Sequence, residues 1–155
     1  MKKLILVIIV VAVAAGPVSA DIKVQGSGLT PVGYIRDDGK VETGSLRVLG
    51  YIRPDGRVED RNFQPLGYVR SDGSVEDARL QRIGWIRPGG RIEDPSLNTV
   101  GYVRGGTIQD PELNIIGYYQ DQADAANTAI TVGAYLFFFT PLLFEQPAWD
   151  TVYEP

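Results

Sequence analysis

Short apolar stretches and polar turns alternate along residues 22 to 119 on a fixed period. Glycine–aromatic pairs mark it, with Gly33-Tyr34, Gly50-Tyr51, Gly67-Tyr68, Gly84-Trp85 and Gly101-Tyr102 at intervals of seventeen residues and Gly117-Tyr118 sixteen further on. Each unit continues with Ile or Val, then Arg, a turn, and a β-branched residue followed by an acid or its amide: Val41-Glu42, Val58-Glu59, Val75-Glu76, Ile92-Glu93 and Ile108-Gln109. Short β-branched and aromatic runs around a glycine-containing turn predict hairpins, and a fixed period of this length predicts a repeat architecture.

The turns refine the expectation. Four loops read Asp37-Asp38-Gly39, Pro54-Asp55-Gly56, Ser71-Asp72-Gly73 and Pro88-Gly89-Gly90. Proline in first place suits position i+1 of a type I turn, and glycine in third place supplies the left-handed residue of a G1 bulge. Such loops pair Ile35 with Val41, Ile52 with Val58, Val69 with Val75 and Ile86 with Ile92, all on one face. In the fifth unit the loop shrinks to Gly105-Gly106, a two-residue primed turn that still leaves Val103 facing Ile108. A strand reading predicts that compensation; a helical one does not. The aromatic, the arginine and the glutamate fall on the opposite face, where Arg36 and Glu42, and their equivalents up to Arg87 and Glu93, are expected as exposed pairs worth about 0 to 1 kcal/mol.

Between hairpins runs a looser connection with an apolar residue four places before each repeat glycine: Leu29, Leu46, Phe63, Leu80, Leu97 and Leu113. Another, from Val32 to Ile116, immediately precedes each glycine. An isolated hairpin cannot bury this set, so neighbouring units are expected to pack over both. The array is offset: Val24-Gln25 matches a second strand and Gly117-Tyr118-Tyr119 a first strand. Pairing these halves would form a composite hairpin beside the five complete ones and close a ring, removing exposed sheet edges. The expected fold is all-β, a small pseudo-symmetric, propeller-like ring of five or six units.

The flanks divide the rest of the chain. Residues 1–20 read as a signal peptide: Lys2-Lys3, an apolar run from Leu4 to Ala15 and the small-residue site Val18-Ser19-Ala20, with Asp21 the expected mature N-terminus. The repeat domain is 21–120. Residues 121–144 form an apolar C-terminal segment, uncharged from Ala125 to Phe144, and 145–155 an acidic tail. Ala123 to Phe139 is expected to be helical and to pack on or in the ring, since Thr and Asn dilute the run, Pro141 interrupts it and no basic cluster follows to hold it in a bilayer. The alternative is a membrane anchor or oligomerisation segment over 125–144.

The repeat Gly-Tyr-Ile-Arg-x-Asp-Gly-x-Val-Glu-Asp, followed by an aromatic-rich tail, resembles the bacterial β-flower proteins from about Val24 to Phe139. The resemblance implies four- or five-fold rings of short hairpins in exported bacterial proteins, with no established activity.

Composition narrows the chemistry. The chain has neither cysteine nor histidine, so it lacks disulfide staples, the commonest general base and the usual zinc ligands. Without the two signal-peptide lysines the charge is 13 minus 19, or −6, which disfavours nucleic acid. Aspartate–glycine turns lack the dense oxygen ligands of a calcium loop and read as turn formers. Glu42, Glu59, Glu76 and Glu93 are equivalent by repetition, whereas a catalytic acid and base need different environments. Arg36, Arg53, Arg70, Arg87 and Arg104 could contact oxyanions, but are expected to pair with the glutamates. Each aromatic, Trp85 included, is expected over its neighbouring glycine. The sequence nominates no catalytic, cofactor or metal site. It points to a noncatalytic exported repeat protein, periplasmic or secreted, with envelope proteins, glycans or membrane as its classes of contact.

Overall fold

The computed structural model describes residues 21–120 together with Thr131, Val132, Phe137 and Phe138; the expected signal peptide, the acidic tail and the rest of the apolar segment lie outside the described residues. Twelve antiparallel strands follow in order: β1 (Ile22–Gly26), β2 (Pro31–Ile35), β3 (Lys40–Thr43), β4 (Val48–Ile52), β5 (Arg57–Asp60), β6 (Pro65–Val69), β7 (Ser74–Asp77), β8 (Arg82–Ile86), β9 (Arg91–Glu93), β10 (Thr99–Arg104), β11 (Thr107–Gln109) and β12 (Ile115–Gln120). Each pairs with its neighbours in sequence, and β1 pairs with β12, so the sheet closes as a barrel. Five hairpins are continuous in sequence and the sixth is composite, with Val24 opposite Tyr119 and Gln25 opposite Tyr118.

The expected apolar pairs form, from Ile35 opposite Val41 to Val103 opposite Ile108. The loop chemistry holds too. Gly39 N donates to the Arg36 carbonyl and Arg36 N to that of Lys40, while Gly39 takes φ 82°. Gly105 and Gly106 both have positive φ, as a type I′ turn requires. The Ile52 N–H in the next unit donates to the Gly39 carbonyl at 2.7 Å.

The connections between hairpins are not loose. Phe63 N donates to the Asp60 carbonyl and Asp60 N to that of Gln64, the same pattern as the glycine loops. They are three-residue turns with Leu29, Leu46, Phe63, Leu80, Leu97 or Leu113 in the place of glycine, at φ between 61° and 69°. A side chain at that φ crowds its own backbone, which explains why these residues were not recognisable as bulge formers. Asp60 offsets part of the cost: its Oδ1 accepts from Asn62 N at 2.8 Å and Gln64 N at 2.9 Å, and Asp77 and Asp94 do the same in their turns. These apolar side chains are 51–59% exposed, contrary to the expectation that neighbouring units cover them, because the turn aims them off the wall rather than into the core.

The residue before each repeat glycine has a different fate. Val41 faces Gly50 and Glu42 faces Val48, so Leu49 is the extra residue of a β-bulge. Val32, Leu66, Ile83, Val100 and Ile116 are skipped in the same way. Val32, Leu49 and Ile116 are half-buried against the core.

Register also sets the barrel's size. Ile35 faces Val41, which faces Gly50, two residues short of the equivalent Ile52. The same stagger recurs in every unit, including Tyr119 to Val24 to Gly33, making twelve residues around twelve strands. Equal stagger and strand number correspond to a tilt of about 36° and a diameter of roughly 22 Å. Subtracting inward side chains leaves room for one α-helix, about 10–12 Å wide.

Described residues of the tail occupy that space. Thr131, Val132, Phe137 and Phe138 are helical, as expected for this part of the segment. Val132 is fully buried in one cluster with Ile22, Val24, Ile35, Val41, Val103 and Ile108. Phe137 and Phe138 pack against Val58, Val69 and Ile86. The recurring glycine makes room for them: a Cβ on Gly50 would lie 2.7 Å from the Phe138 ring, and one on Gly67 would lie 2.6 Å from Phe137. Gly50 and Gly67 therefore serve the interior and the carbonyls of Glu59 and Glu76, not the aromatics beside them, which point outward.

Candidate functional site

Because strand side chains alternate, Tyr34, Arg36 and Glu42 leave the core pair on the outer wall. Arg36 Nε donates to Glu42 Oε2 at 2.7 Å, Arg53 to Glu59 at 2.7 Å, Arg70 to Glu76 at 2.9 Å and Arg87 to Glu93 at 2.6 Å. The same guanidiniums lie over the repeat aromatics at 5.0 Å for Tyr34, 4.9 Å for Tyr51, 4.5 Å for Tyr68 and 4.5 Å for Trp85. Each arginine is thereby fixed by a ring beneath and a carboxylate beside it. Arg82 takes the Trp85 ring as well, at 4.4 Å, and Phe63 stacks on Tyr51 with ring centres 5.0 Å apart.

These pairs are not the exposed contacts expected from the sequence. Glu42, Glu59 and Glu93 are buried, with side chains 8%, 4% and 5% exposed. A second cation two residues earlier on the same strand completes each enclosure: Lys40 lies 3.0 Å from Glu42, Arg57 3.0 Å from Glu59 and Arg91 2.7 Å from Glu93. Where Ser74 replaces that cation, the Glu76 side chain opens to 19%. The alternating Lys/Arg-x-Glu spacing was the available signal, since strand period two puts both residues on one face. Hydrogen bonds from Lys40 first, then Arg36, hold the Glu42 carboxyl below its ordinary value. A carboxylate so engaged is a poor proton acceptor, and its repeat equivalents are tied to arginine in the same way.

The turn aspartates are likewise committed. Asp38 Oδ1 accepts from Lys40 N at 2.9 Å and Asp55 Oδ1 from Arg57 N at 3.1 Å. Asp72 takes both the N–H and the hydroxyl of Ser74, which keeps its carboxyl below the ordinary value. Among the described residues no cluster of three acids could hold a metal ion, and no helix is long and apolar enough to cross a membrane.

The fifth and sixth units break the pattern. Arg104 lies 4.4 Å over Tyr102, but Gln109 stands where the others have glutamate, with its Oε1 buried and unbonded. In the composite unit Gln25 faces Tyr118, Gln120 takes the arginine's place, and Gln25 Nε2 donates to the Leu29 carbonyl at 2.5 Å. Four sectors with an arginine–glutamate pair therefore adjoin two without one.

A closed, tilted antiparallel barrel of hairpin repeats, with a helical segment of its own chain inside and an arginine–glutamate ladder outside, defines a class of repeat-built β-rings. Within it, residues 28–139 match the model of the 5-fold beta-flower protein family, and the chain belongs to that family. Here the ring comprises five continuous hairpins and the composite one. No curated protein and no solved structure matches the chain.

Proposed function

We propose that this protein is a noncatalytic exported module of the bacterial envelope, periplasmic or secreted, that acts through its outer wall as a binding or structural element. The observation that carries this reading is the enclosure of Glu42, Glu59 and Glu93 by two cations each, which commits the repeated carboxylates to the fold. Burial of Val132 inside the barrel supports a tail used for packing over one that anchors the chain in lipid. Export rests on the basic, apolar and small-residue order of residues 1–20. Expression of the full chain followed by fractionation tests it: processed protein beginning at Asp21 is expected in the soluble envelope or medium fraction without detergent. Unprocessed protein, or protein released from membranes only by detergent, would overturn the reading.

A further inference from the structure

We propose that the two sectors without an arginine–glutamate pair form the contact surface for a second copy of this chain, giving a two-fold dimer through the wall around β10 to β12. The proposal starts from a departure from repeat symmetry. Arg36, Arg53, Arg70 and Arg87 each hold a carboxylate, whereas Arg104 is exposed and, among the described residues, has only the Tyr102 ring. Its charge is fixed in place by that ring and left unneutralised.

The same sector carries the complementary charge. Glu112, in the turn between β11 and β12, is exposed and has no ion pair or hydrogen bond among the described residues. Successive turns of an up-and-down barrel alternate between its ends, so Arg104 sits at the glycine-loop end and Glu112 at the opposite end, on neighbouring strands. A two-fold axis lying in the plane of the contact, midway between them and perpendicular to the line that joins them, brings each Arg104 to the partner's Glu112. Such an isologous contact needs the patch to be complementary to itself, and opposite charges at its two ends meet that condition.

Beside these charges the surface exposes apolar side chains. Leu113 is 51% exposed, as its equivalents in the other turns are, and Ile115 is 43% exposed, in a strand position where other units have Pro31, Val48, Pro65, Arg82 or Thr99. Tyr102 and Tyr118 flank them, half-buried. An apolar centre with a charged, solvated rim is the usual composition of a protein interface. A uniformly anionic membrane would repel Glu112 along with Asp110, so the charge pattern favours self-association over lipid.

The test is light scattering and sedimentation of the mature chain, residues 21–155, from 1 to 200 μM. The expected result is a concentration-dependent doubling of mass. Arg104→Glu and Glu112→Arg should each weaken the dimer at least tenfold, and the combined swap should restore it, because the pairs re-form in trans with reversed sign. Gln109→Glu should also weaken it about tenfold by giving Arg104 a carboxylate within its own chain. Thermal unfolding of each variant at 1 μM checks that the monomer remains folded. A wild-type chain monomeric throughout, a dimer indifferent to the charge variants, or flotation with anionic vesicles in place of dimerisation would overturn the proposal.

Discussion

Val24 in the first strand lies directly opposite Tyr119 in the last, and that pair converts a linear repeat into a ring. Closure leaves no strand edge to template aggregation. Lys23 faces Gln120 one step along on the outer wall, and opposed residues in an antiparallel ladder have Cα atoms about 4.5–5.5 Å apart, within disulfide reach. In this cysteine-free chain, Lys23→Cys with Gln120→Cys should therefore oxidise within one molecule. The closed loop spans nearly the whole repeat domain, for which chain-entropy reasoning gives a gain of up to roughly 5 kcal/mol. Comparing urea midpoints of oxidised and reduced protein reads it; an intermolecular cross-link would contradict the closed ring.

Gly50 is a second point where substitution reads the architecture. A methyl there meets the Phe138 ring at 2.7 Å and the carbonyl of Glu59, whereas one on Gly28 meets nothing within 4 Å. Gly50→Ala should destabilise by about 2–3 kcal/mol through overpacking. Gly28→Ala should be neutral or stabilising by up to about 1 kcal/mol. Equal effects in chemical denaturation would mean that Gly50 is not enclosed by the Glu59 carbonyl and the Phe138 ring.

The exposed leucines offer the opposite sign. Leu46 and Leu80 hold φ of 65° and 63° with little burial in return. Leu46→Gly or Leu80→Gly should raise stability by about 0.5–1 kcal/mol, relief of the left-handed strain exceeding the entropy glycine adds to the unfolded chain. Phe63→Gly should gain less or lose, since Phe63 stacks on Tyr51 and such a pair contributes about 0.5–1.5 kcal/mol. Thermal midpoints of the three variants separate strain from stacking.

These cases mark what the sequence made legible. Apolar pairs such as Ile35 and Val41, the glycine loops and the offset ends were readable because strand parity and turn chemistry are local rules. The leucine turns were not, because left-handed backbone is ordinarily signalled by glycine or asparagine and here occurs at Leu29 through Leu113. The bulged Leu49 and its equivalents were readable only as apolar residues, since a bulge is defined by the partner strand. Glu59 was misjudged as exposed because a pairwise reading with Arg53 omitted Arg57 on the other side. The site was legible as a ladder of residue types, and its enclosure required the sheet.

Gln109 supplies a natural neutral variant of the ladder. Gln109→Glu would place a carboxylate beside Arg104 and remove the unbonded Oε1. Stability of the dilute monomer should rise by up to about 1 kcal/mol at neutral pH, discounted because Arg104 is exposed. Protonating the new carboxyl below about pH 4 should remove the gain. Urea titrations of both proteins at pH 7 and pH 3 measure it, and a gain that persists at pH 3 would assign the effect to packing.

Acid should unfold this protein through its engaged carboxylates. Glu42 is held below its ordinary value by Lys40 and then Arg36, Asp72 by the N–H and hydroxyl of Ser74, and Asp94 by the side-chain amide and then the N–H of Asn98. A group whose pKa is lower folded than unfolded binds fewer protons in the folded state. Its stabilisation is therefore complete above the unfolded value and is lost as pH falls through the folded one. Stability should be flat from about pH 6 to 8, where the histidine-free chain has no side chain of ordinary pKa to titrate, and should decline progressively below about pH 5. Glu42→Gln isolates one contribution: it should be less stable than the parent at pH 7 and converge with it as pH falls through the lowered Glu42 value. Urea midpoints at unit pH steps test this, and a parent–variant difference independent of pH would show that the Glu42 charge contributes nothing to the fold.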